Sequence, residues 1–400
     1  MNDDKNLLDV LRSRGFVQQS TDEDAIRALF DAGPATFYAG FDPTADCLHV
    51  GHLLPIMMCR WLQQAGHKPI IILGGGTAMI GDPTGKTKTR SMLTADEIQH
   101  NLEAQKRLFA KFIDLDDALV LNNADWLGEL NYIAFLRDIG RHFSVNRMLS
   151  STGAQQRLER GQGYSFIEFN YHLLQSYDFL ELYRRHGCVL QVGGDDQWFN
   201  ILGGVDLIRR EAGADAHAIT LPLLLTAAGK KMGKTEAGAV WIDADRVSPY
   251  DYYQYWVNVL DPDVIKLLKL YTTLPLEEID VLAKLEGKDI RKAKQVLAYE
   301  ATKLCHGQKE ADKAQAAAQK VFSGDNTSAD MPTVEISLPA PLVDVYVASG
   351  LAASKSAARR LIKGGGARIE DVKVHDANAT LETEAVVWAG KKRCVRVVAK

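Results

Sequence analysis

The chain has 400 residues, more than one hydrophobic core usually organises, so two or three domains are expected. Hydrophobic residues make up 46% of the sequence and charged residues 24%, the composition of an ordinary soluble globular protein. The 5 cysteines are scattered and include no CxxC pair, which argues against a disulfide framework or a structural zinc site and favours a reducing compartment. The acidic start lacks the apolar core of a signal peptide, and no apolar run approaches the roughly 20 residues of a membrane span. We therefore expect a cytoplasmic protein without a membrane partner.

The net charge of −4 conceals a difference between the body of the chain and its C-terminal part. Residues 331–400 carry 11 Lys and Arg against 7 Asp and Glu, a net +4, and the first 330 residues carry 36 against 44, a net −8. A basic terminal module on an acidic body indicates a polyanionic partner for that module. Scattered, solvated surface charge is the alternative interpretation. Four basic residues would share one helical face: Lys355, Arg359, Arg360 and Lys363.

The first half of the chain alternates β-like apolar runs with amphipathic helical patterns. The predicted strands are 36–41, 69–75, 118–123, 188–194 and 218–224, and the predicted helices are 53–66, 94–112, 166–187 and 199–213. Thr94 and Glu97 have the spacing of a capping box at the start of one helix. Strands that alternate with helices indicate an α/β fold with a doubly wound parallel sheet. In such a sheet ligands bind beyond the carboxyl ends of the strands, where the strand order reverses.

Changes in pattern along the chain divide it into units. We expect an α/β unit at 1–246 with a helical insertion at about 123–165, an α-helical domain at 247–325, a linker at 326–338 and a small α+β module at 339–400. The linker prediction rests on the polar stretch SGDNTSADMPT, which contains Gly and Pro. The C-terminal module has the pattern of two short helices and a hairpin.

The stretch FYAGFDPTADCLHVGH, residues 37–52, places two histidines three positions apart after a β-like run. If a helix begins at Leu48 or His49, then His49 and His52 lie on one face beside the helix N-terminus. The unpaired amides and the dipole of a helix N-terminus favour an anion, and Gly51 leaves room for a flat ring against the backbone. The pattern predicts a nucleotide site. The alternative is an N-capping histidine beside a buried one.

A second stretch, LLLTAAGKKMGKT at residues 223–235, places two lysines around a glycine. Lys231, Lys234 and Thr235 would present two ammonium groups and a hydroxyl on a loop hinged at Gly233, and such groups suit a departing pyrophosphate. By itself the stretch is equally compatible with a solvated basic loop. The two stretches together, in this order and at this separation, are far more specific than either alone.

HVGH and KMGKT resemble the HIGH and KMSKS signatures of class I aminoacyl-tRNA synthetases. Four blocks, YAGFDPTADCLHVGH, IGDPTGK, YHLLQSYDF and LQVGGDDQW, are similar to the bacterial tyrosyl-tRNA synthetase family, and the resemblance extends from about residue 7 to the C-terminus. It implies a Rossmann-like catalytic unit that uses ATP to convert L-tyrosine to tyrosyl-adenylate with release of pyrophosphate. The tyrosyl group is then transferred to the 3′ end of tRNA(Tyr).

The resemblance implies a tyrosine site made of two sets of residues. Positions matching Tyr38 and Asp178 hydrogen-bond the phenolic hydroxyl, so phenylalanine would leave two buried polar groups unpaired. The surroundings of the α-ammonium group are assigned by resemblance to Asp82, Tyr171, Gln175 and Gln197, with Gln191 in support. Tyr171, Gln175 and Asp178 fall at i, i+4 and i+7, one stripe of a helix. For Tyr171 a place in the core is the alternative, whereas Gln175 and Asp178 are residue types seldom buried without a partner.

The resemblance also implies that ATP is bound as its Mg²⁺ complex, with no metal held by the protein itself. The implied ATP-binding positions are Gly40, Asp42, His49, Gly51, His52, Gly194, Asp196 and Lys234, with Asp196 on the ribose. Catalytic contacts to the phosphates are implied for Thr44, His49, His52, Lys86, Arg90, Lys231, Lys234 and Thr235. The tyrosine carboxylate is already an anion, so the first step needs no general base, and catalysis consists of positioning and charge stabilisation.

The chain departs from the family pattern at four positions. Val50 stands where isoleucine or leucine is frequent, and Ala39 where some members have a cysteine, so a thiol contact to the ribose is absent. Asp195 stands where serine is common and Phe199 where glycine is common. We expect Asp195 to add a carboxylate beside the site and Phe199 to add bulk.

By resemblance, the remaining units bind RNA and a second copy of the chain. The C-terminal module would contact the tRNA backbone through its basic face, with affinity that falls steeply with salt. The helical domain would face the anticodon stem. The insertion around residues 126–143 would form the interface of a homodimer, and twofold pairing is also the commonest oligomer.

Three alternatives remain open from the sequence. A tryptophan enzyme shares the fold and signatures, but indole has no hydroxyl for Tyr38 and Asp178 to bind. A small nucleotidyltransferase with an HxGH turn needs neither a basic RNA module nor a long helical domain. A non-catalytic RNA-binding protein descended from a synthetase has no need of His49, His52 and the two lysines of the second stretch.

Overall fold

The computed structural model describes residues 6–81, 93–161, 165–227, 229, 232–235, 238–323, 332–370, 372–390 and 393–400. At residues 168, 234, 235 and 321–323 it describes the backbone alone. Within these ranges, every helix falls short of the combination of length and apolarity that a membrane crossing requires.

The first unit alternates strands and helices, as the sequence predicts. It begins with α1 (Leu7–Arg14), β1 (Gln19–Ser20), α2 (Glu23–Asp31), β2 (Thr36–Phe41), α3 (Val50–Gln64), β3 (Lys68–Leu73), α4 (Gly75–Ile80), α5 (Ala95–Phe109) and β4 (Leu119–Asn122). Four short helices follow within the predicted insertion: α6 (Ala124–Leu127), α7 (Tyr132–Asp138), α8 (Val145–Leu149) and α9 (Thr152–Glu159). The unit continues with α10 (Phe166–His186), β5 (Cys188–Gly194), α11 (Trp198–Ala212), β6 (His217–Leu221), β7 (Lys234–Thr235) and β8 (Gly238–Ala239).

The strands β1 to β6 form one sheet in the order β1-β6-β5-β2-β3-β4. The strands β2 to β6 are parallel, and β1 pairs antiparallel with β6 at one edge. Because β2 lies between β3 and β5, the direction of winding reverses between β2 and β5. A doubly wound sheet leaves a crevice at this point, beyond the carboxyl ends of its strands. The predicted α/β fold is therefore confirmed, and β1 is an edge strand that the sequence analysis does not predict.

Local sequence signals account for these elements. In β3 every residue except Lys68 is buried, as expected for a central parallel strand covered on both faces. The capping box predicted at Thr94 and Glu97 is confirmed at the start of α5. The Glu97 amide donates to Thr94 Oγ1 at 3.2 Å, and the Thr94 amide donates to Glu97 Oε2 at 2.8 Å. The helix α11 is capped at its C-terminus by Gly213, whose φ of 63° favours glycine.

The helical segment after β8 extends the core of the first unit. Its helices are α12 (Pro249–Val257), α13 (Val264–Tyr271), α14 (Leu276–Leu282), α15 (Ile290–His306) and α16 (Gln308–Ser323). Phe37 of β2 and Leu53 of α3 belong to the same buried apolar cluster as Trp256 of α12 and Leu297 of α15. Because these residues form one core, the helical segment is held rigidly against the sheet.

The C-terminal module has an apolar core of its own. Its elements are β9 (Thr333–Ile336), β10 (Ala340–Pro341), α17 (Leu342–Ala348), α18 (Lys355–Lys363), β11 (Ala367–Ile369), β12 (Val372–Val374), β13 (Thr380–Leu381), β14 (Ala385–Ala389) and β15 (Arg393–Ala399). Five strands form a sheet in the order β12-β11-β14-β15-β9, a larger sheet than the hairpin expected. The strand β9 pairs in parallel with β15. Residues 333–336 therefore belong to the sheet of the module, although they fall within the range predicted as a linker, 326–338. The preceding residues 324–331 lie outside the described residues.

Arg14 ties α1 to the helical segment through three backbone carbonyls. Its buried guanidinium donates to the carbonyls of Lys269 at 3.1 Å, Thr272 at 3.3 Å and Leu274 at 2.5 Å. Burial lowers the pKa of Arg14 to about 10, so the side chain stays charged at neutral pH. The three carbonyls face a buried cation and would be left without this donor if the side chain were removed.

Arg14→Ala is expected to lower the free energy of unfolding by about 3 kcal/mol, because buried carbonyls lose a charged donor and a gap opens. The control is Arg12→Ala, since Arg12 lies on the same helix but is exposed and pairs with Glu23 at the surface. This variant should lose less than about 1 kcal/mol. Urea denaturation followed by circular dichroism measures both losses, and equal losses would contradict the structural role of Arg14.

Candidate active site

A cavity of about 290 Å³ opens beyond the carboxyl ends of β2 and β5, at the switch point of the sheet. Twelve of the predicted site residues line it: Tyr38, Gly40, Asp42, Thr44, His52, Tyr171, Gln175, Asp178, Gln191, Gly194, Asp196 and Gln197. They come from β2 and the loop that follows it, from α3 and α10, and from β5 and the turn after it. Residues that are up to about 160 positions apart in the sequence therefore meet in one crevice, where a doubly wound sheet binds its ligands.

The HVGH turn (residues 49–52) is in contact with the described part of the KMGKT loop (residues 232–235). Gly233 approaches Gly51 so closely that a β-carbon on Gly233 would lie 3.0 Å from the Gly51 amide nitrogen. The φ of Gly233 is +84°, in the region that favours glycine. The chain after the loop pairs with the turn, since the Val50 amide donates to the Val240 carbonyl at 2.9 Å. The two stretches therefore lie side by side, as a shared nucleotide site requires.

The two histidines stack on each other at the first turn of α3. Their ring centroids are 3.9 Å apart and their planes differ by 20°. His49 Nδ1 accepts a hydrogen bond from the Gly51 amide at 3.0 Å, and His52 Nδ1 accepts from the His49 amide at 3.2 Å. Because Nδ1 is an acceptor in both rings, each neutral imidazole carries its proton on Nε2. Each ring is therefore held with a donor nitrogen on the side opposite its backbone contact.

The structure corrects one expectation about this helix N-terminus. The sequence analysis expects unpaired amides there, but the Val50 amide is bonded to the Val240 carbonyl and the Gly51 amide to His49 Nδ1. His49 is the N-cap residue of α3, which was the alternative interpretation of the stretch. An anion at this position would therefore meet imidazole N–H groups and the helix dipole rather than these two amides.

Tyr38 and Asp178 are buried residues of the cavity wall. Burial raises the pKa of Tyr38 well above its usual value, and the neighbouring charge of Asp178 raises the pKa further. The Tyr38 hydroxyl and Gln191 Oε1 are buried and have no hydrogen-bond partner within the described part of the chain. Because buried polar atoms are almost always paired, two unpaired ones beside a cavity indicate a ligand that supplies the missing partners.

A chain of hydrogen bonds holds Asp178 and connects it to Asp42. Asp178 accepts from the Asn123 side-chain amide at 2.9 Å and from the Trp126 indole at 2.7 Å. Asn123 also donates to Thr77 Oγ1 at 3.1 Å, and Thr77 in turn donates to Asp42 Oδ1 at 2.8 Å. These hydrogen bonds therefore fix the orientation of both carboxyl groups in the cavity wall.

Tyr171 joins the same chain of hydrogen bonds from α10. Its side chain is buried, as the alternative interpretation expects, but its hydroxyl donates to Asp42 Oδ2 at 3.0 Å. Tyr171, Gln175 and Asp178 all line the cavity, so the i, i+4, i+7 spacing presents one face of α10 to it, as predicted.

Three residues of this site are missed by the sequence analysis as site residues: Thr77, Asn123 and Trp126. Asn123 directly follows β4, and a search for polar residues beyond the carboxyl ends of predicted strands would have found it. Thr77 lies in α4 and Trp126 in α6, and no local pattern shows that either reaches a carboxylate far away in the sequence.

Some predicted residues do not line the cavity or cannot be placed. His49 and Gly51 belong to the adjoining turn and are not among the lining residues. Asp82, Lys86, Arg90 and Lys231 lie outside the described residues, and Lys234 and Thr235 are described by their backbone in β7 alone.

The expected effects of Asp195 and Phe199 on the site stay predictions, and both side chains have neighbours outside the cavity. Asp195 accepts from Gln19 Nε2 at 2.7 Å and from Thr220 Oγ1 at 2.8 Å, so its carboxylate faces β1 and β6. Phe199 packs on His172, with ring centroids 4.4 Å apart. Neither residue lines the cavity, because each side chain is occupied by neighbours outside it.

The protonation of Asp178 depends on its buried position. Burial raises the pKa of Asp178 to about 7, although the hydrogen bonds from Asn123 and Trp126 lower it. An unfolded aspartate has a pKa near 3.9, so the folded state binds the extra proton between about pH 4 and 7. Stability contributed by the neutral carboxyl is therefore complete below about pH 4 and is lost as the pH rises to about 7.

Asp178→Ala is expected to cost more stability at pH 5 than at pH 8, because only at pH 8 does the wild type bury a charged carboxylate. The difference between the two losses should be on the order of 2 kcal/mol. Urea denaturation of the wild type and the variant at both pH values measures it. A loss that is equal at pH 5 and pH 8 would show that Asp178 titrates at its ordinary pKa.

The chain matches two families over nearly its whole length. Residues 31–323 match tRNA synthetases class I (W and Y), and residues 325–392 match the tyrosine–tRNA ligase SYY-like C-terminal domain. The first match spans the cavity and the helical segment, and the second spans most of the C-terminal module. The second match separates the chain from the tryptophan branch, which the first includes.

Individual relatives agree with these matches. The chain is 51% identical to a tyrosine–tRNA ligase of Clostridium kluyveri, over 99% of this chain and 100% of the relative. It is 52% identical to a tyrosine–tRNA ligase of Clostridium botulinum, over 98% of this chain and 99% of the relative. A C-terminally truncated mitochondrial tyrosyl-tRNA synthetase of Aspergillus nidulans is similar in structure, with a TM-score of 0.72 and 31% identity over 80% of this chain and 95% of that one. The chain therefore belongs to the class I tRNA synthetases, and within them to the tyrosine–tRNA ligase family of enzymes.

Proposed function

We propose that the chain activates L-tyrosine with ATP to form tyrosyl-adenylate and then transfers the tyrosyl group to the 3′ end of tRNA(Tyr). The observation that carries the proposal is the cavity at the switch point. It has the histidine turn and the KMGKT loop beside it, and Tyr38 and Asp178 in its wall. One crevice thus combines groups suited to phosphates with groups suited to a phenol.

The phenolic hydroxyl of the substrate is recognised by Tyr38 and Asp178. Asn123 and Trp126 hold Asp178 as an acceptor, and the buried Tyr38 hydroxyl has no hydrogen-bond partner among the described residues. A tyrosine hydroxyl donates to Asp178 and pairs with Tyr38, whereas phenylalanine leaves both buried groups unpaired, at a cost of about 1–3 kcal/mol for each. The α-ammonium group is held by Asp82, Tyr171, Gln175 and Gln197, with Gln191 in support.

In the activation step a tyrosine carboxylate oxygen attacks the α-phosphorus of ATP. A carboxylate–phosphorus bond forms, the bond from the α-phosphorus to the bridging oxygen breaks, and the electron pair leaves with pyrophosphate. Gly40, Asp42, Gly194 and Asp196 hold the nucleoside, with Asp196 on the ribose. Charge that develops on the phosphates is stabilised by groups from the two stretches and from the residues that precede α5 in the sequence: Thr44, His49, Gly51, His52, Lys86, Arg90, Lys231, Lys234 and Thr235.

Magnesium enters this proposal as part of the substrate, MgATP. Within the described residues no group of three or more His, Cys, Asp and Glu side chains could hold a metal ion by itself. Mg²⁺ is commonly bound through substrate phosphates and water with few protein ligands, which agrees with delivery as the ATP complex.

The other units serve the second substrate and the assembly. We divide the chain into a catalytic unit at 1–246, an anticodon-side helical unit at 247–325 and an RNA-binding module at 339–400. In α18 the basic residues Lys355, Arg359, Arg360 and Lys363 are all exposed. Lys355 also pairs with Asp344 at 2.7 Å, which leaves the other three as the main phosphate contacts.

A homodimer would cover apolar side chains that the insertion leaves exposed. In α7, Tyr132 is 58% exposed and Ile133 is 70% exposed, and Val145 of α8 is 57% exposed. Apolar side chains of this size, grouped on neighbouring helices, are typical of a surface that a second subunit buries. The proposed setting of the dimer is the bacterial cytoplasm.

The test of the proposed reaction is ATP–pyrophosphate exchange measured with each of the twenty amino acids. Tyrosine alone should support rapid exchange, because its hydroxyl pairs with both Tyr38 and Asp178. Asp178→Ala should reduce the ratio of kcat/KM for tyrosine over phenylalanine by at least about 10-fold, the loss of one buried hydrogen bond to a charged acceptor. Exchange with tryptophan, or with no amino acid, would overturn the proposal.

The test of the RNA-binding module is the salt dependence of tRNA binding. Arg359→Glu should weaken binding and lower the slope of log Kd against log salt by about 1, the effect of one lost phosphate contact. Lys68→Glu is the control, since it makes the same charge change at the amino end of β3, away from the cavity. Tyrosine-dependent exchange should be the same in both variants. An unchanged slope in Arg359→Glu would contradict the assignment of α18.

A further inference from the structure

The HVGH turn is held from behind by a residue of the helical segment. The hydroxyl of Tyr271, the last residue of α13, donates to the backbone carbonyl of Val50 at 3.1 Å. Both residues are fully buried. Val50 is the first residue of α3, between the two histidines in the sequence, so this hydrogen bond fixes the turn that carries both imidazoles.

A residue of α12, Tyr255, lies beside the KMGKT loop. Burial raises the pKa of Tyr255 to about 12, and the nearby Gly233 backbone acts in the opposite direction. Tyr255 and Met232, the residue before Gly233, also line the same groove between α12 and the loop. Gly233 is the residue that touches Gly51, so this contact acts where the two stretches meet.

The two tyrosines are joined through one buried ring. Trp256 lies edge-on to Tyr255, with centroids 5.1 Å apart at 74°, and packs on Tyr271, with centroids 4.9 Å apart at 54°. Trp256 is fully buried in the core that the helical segment shares with the sheet. Because packed aromatic rings resist displacement, the two hydroxyls are held at a fixed separation.

We propose that Tyr255 and Tyr271 are positioning residues for adenylate formation, which set the distance between the KMGKT loop and the HVGH turn from the helical segment. The inference deepens the proposed function and rests on it. Neither tyrosine lines the cavity. Each acts through a backbone group of the stretch that does reach the phosphates, so each affects the transition state rather than the binding of tyrosine.

The kinetic signature of such a role is a selective fall in kcat. Asp178, which binds the substrate hydroxyl together with Tyr38, is held by separate hydrogen bonds from Asn123 and Trp126. Displacing the turn or the loop should therefore leave the KM for tyrosine unchanged. Contacts that form only in the transition state lower kcat and kcat/KM together when they are lost.

The test uses Tyr255→Phe and Tyr271→Phe, which delete one oxygen atom each and keep the packed ring. Tyr252→Phe is the matched control, because Tyr252 is a fully buried residue of the same helix as Tyr255 and its hydroxyl contacts Cys305 Sγ at 3.2 Å instead. Each test variant should lower kcat of tyrosine-dependent ATP–pyrophosphate exchange about 3- to 10-fold, the equivalent of one neutral hydrogen bond. The control should retain the wild-type kcat, and Tm should be measured for all three.

A second measurement is independent of catalysis. Amide hydrogen exchange of the ligand-free protein, followed by mass spectrometry, should be faster in Tyr255→Phe for the peptide that contains Gly233. In Tyr271→Phe it should be faster for the peptide that contains Val50. Tyr252→Phe should match the wild type in both peptides.

Distinct outcomes decide the inference and the proposed function. Wild-type kcat in both test variants, or an equal fall in Tyr252→Phe, would overturn the positioning role, as would a rise in the KM for tyrosine at constant kcat. If the wild-type protein itself shows no tyrosine-dependent exchange, the proposed function fails. The hydrogen-exchange comparison then still decides whether the two tyrosines hold the two stretches.

Discussion

The contact between Gly51 and Gly233 is the constraint on which the nucleotide end of the site depends. A β-carbon on Gly51 would lie 2.7 Å from His49 Cε1, and one on Gly233 would lie 3.0 Å from the Gly51 amide nitrogen. Glycine at position 51 therefore leaves room for the His49 ring, and glycine at position 233 lets the loop lie against the turn. The pairing of the Val50 amide with the Val240 carbonyl then continues this approach as backbone hydrogen bonding. Two residues without side chains thus decide where the imidazoles and the lysine-bearing strand stand relative to each other.

The other end of the cavity is organised by a different interaction. The buried Asp178 side chain accepts hydrogen bonds from two neutral donors. These bonds fix its orientation, which suits an acceptor for a substrate hydroxyl. Among the described residues the Tyr38 hydroxyl and Gln191 Oε1 have no hydrogen-bond partner, which costs about 1–3 kcal/mol for each atom. A ligand that pairs with both atoms recovers that free energy on binding.

The sequence predicts the fold well where the pattern that forms an element is local. It predicts the site well where the functional residues directly follow predicted strands. The five parallel strands and the capping box at Thr94 follow from hydrophobic periodicity and helix signals. The strand β9 lies within the predicted linker, and no local pattern shows it, because it pairs with the distant strand β15, Thr333 with Arg396. Asp195 directly precedes the cavity residue Asp196, yet its carboxylate faces β1 and β6, because adjacent residues in a turn can face opposite sides. Thr77 and Trp126 were missed because only the folded chain brings them to the carboxylates.

The helical segment and the C-terminal module belong to different apolar cores, and this division indicates how a bound tRNA can influence the catalytic site. The helical segment shares one apolar cluster with the sheet, so a force on α12 or α13 reaches the HVGH turn through packed side chains and single hydrogen bonds. The C-terminal module has its own core and its own sheet, so it can bind RNA without deforming the catalytic unit. A tRNA bound to both the helical segment and the C-terminal module would therefore be held by the module and would exert its force on the helical segment. In this architecture the C-terminal module determines the affinity for the RNA. The core shared by the helical segment and the sheet determines how the phosphate-binding groups are aligned.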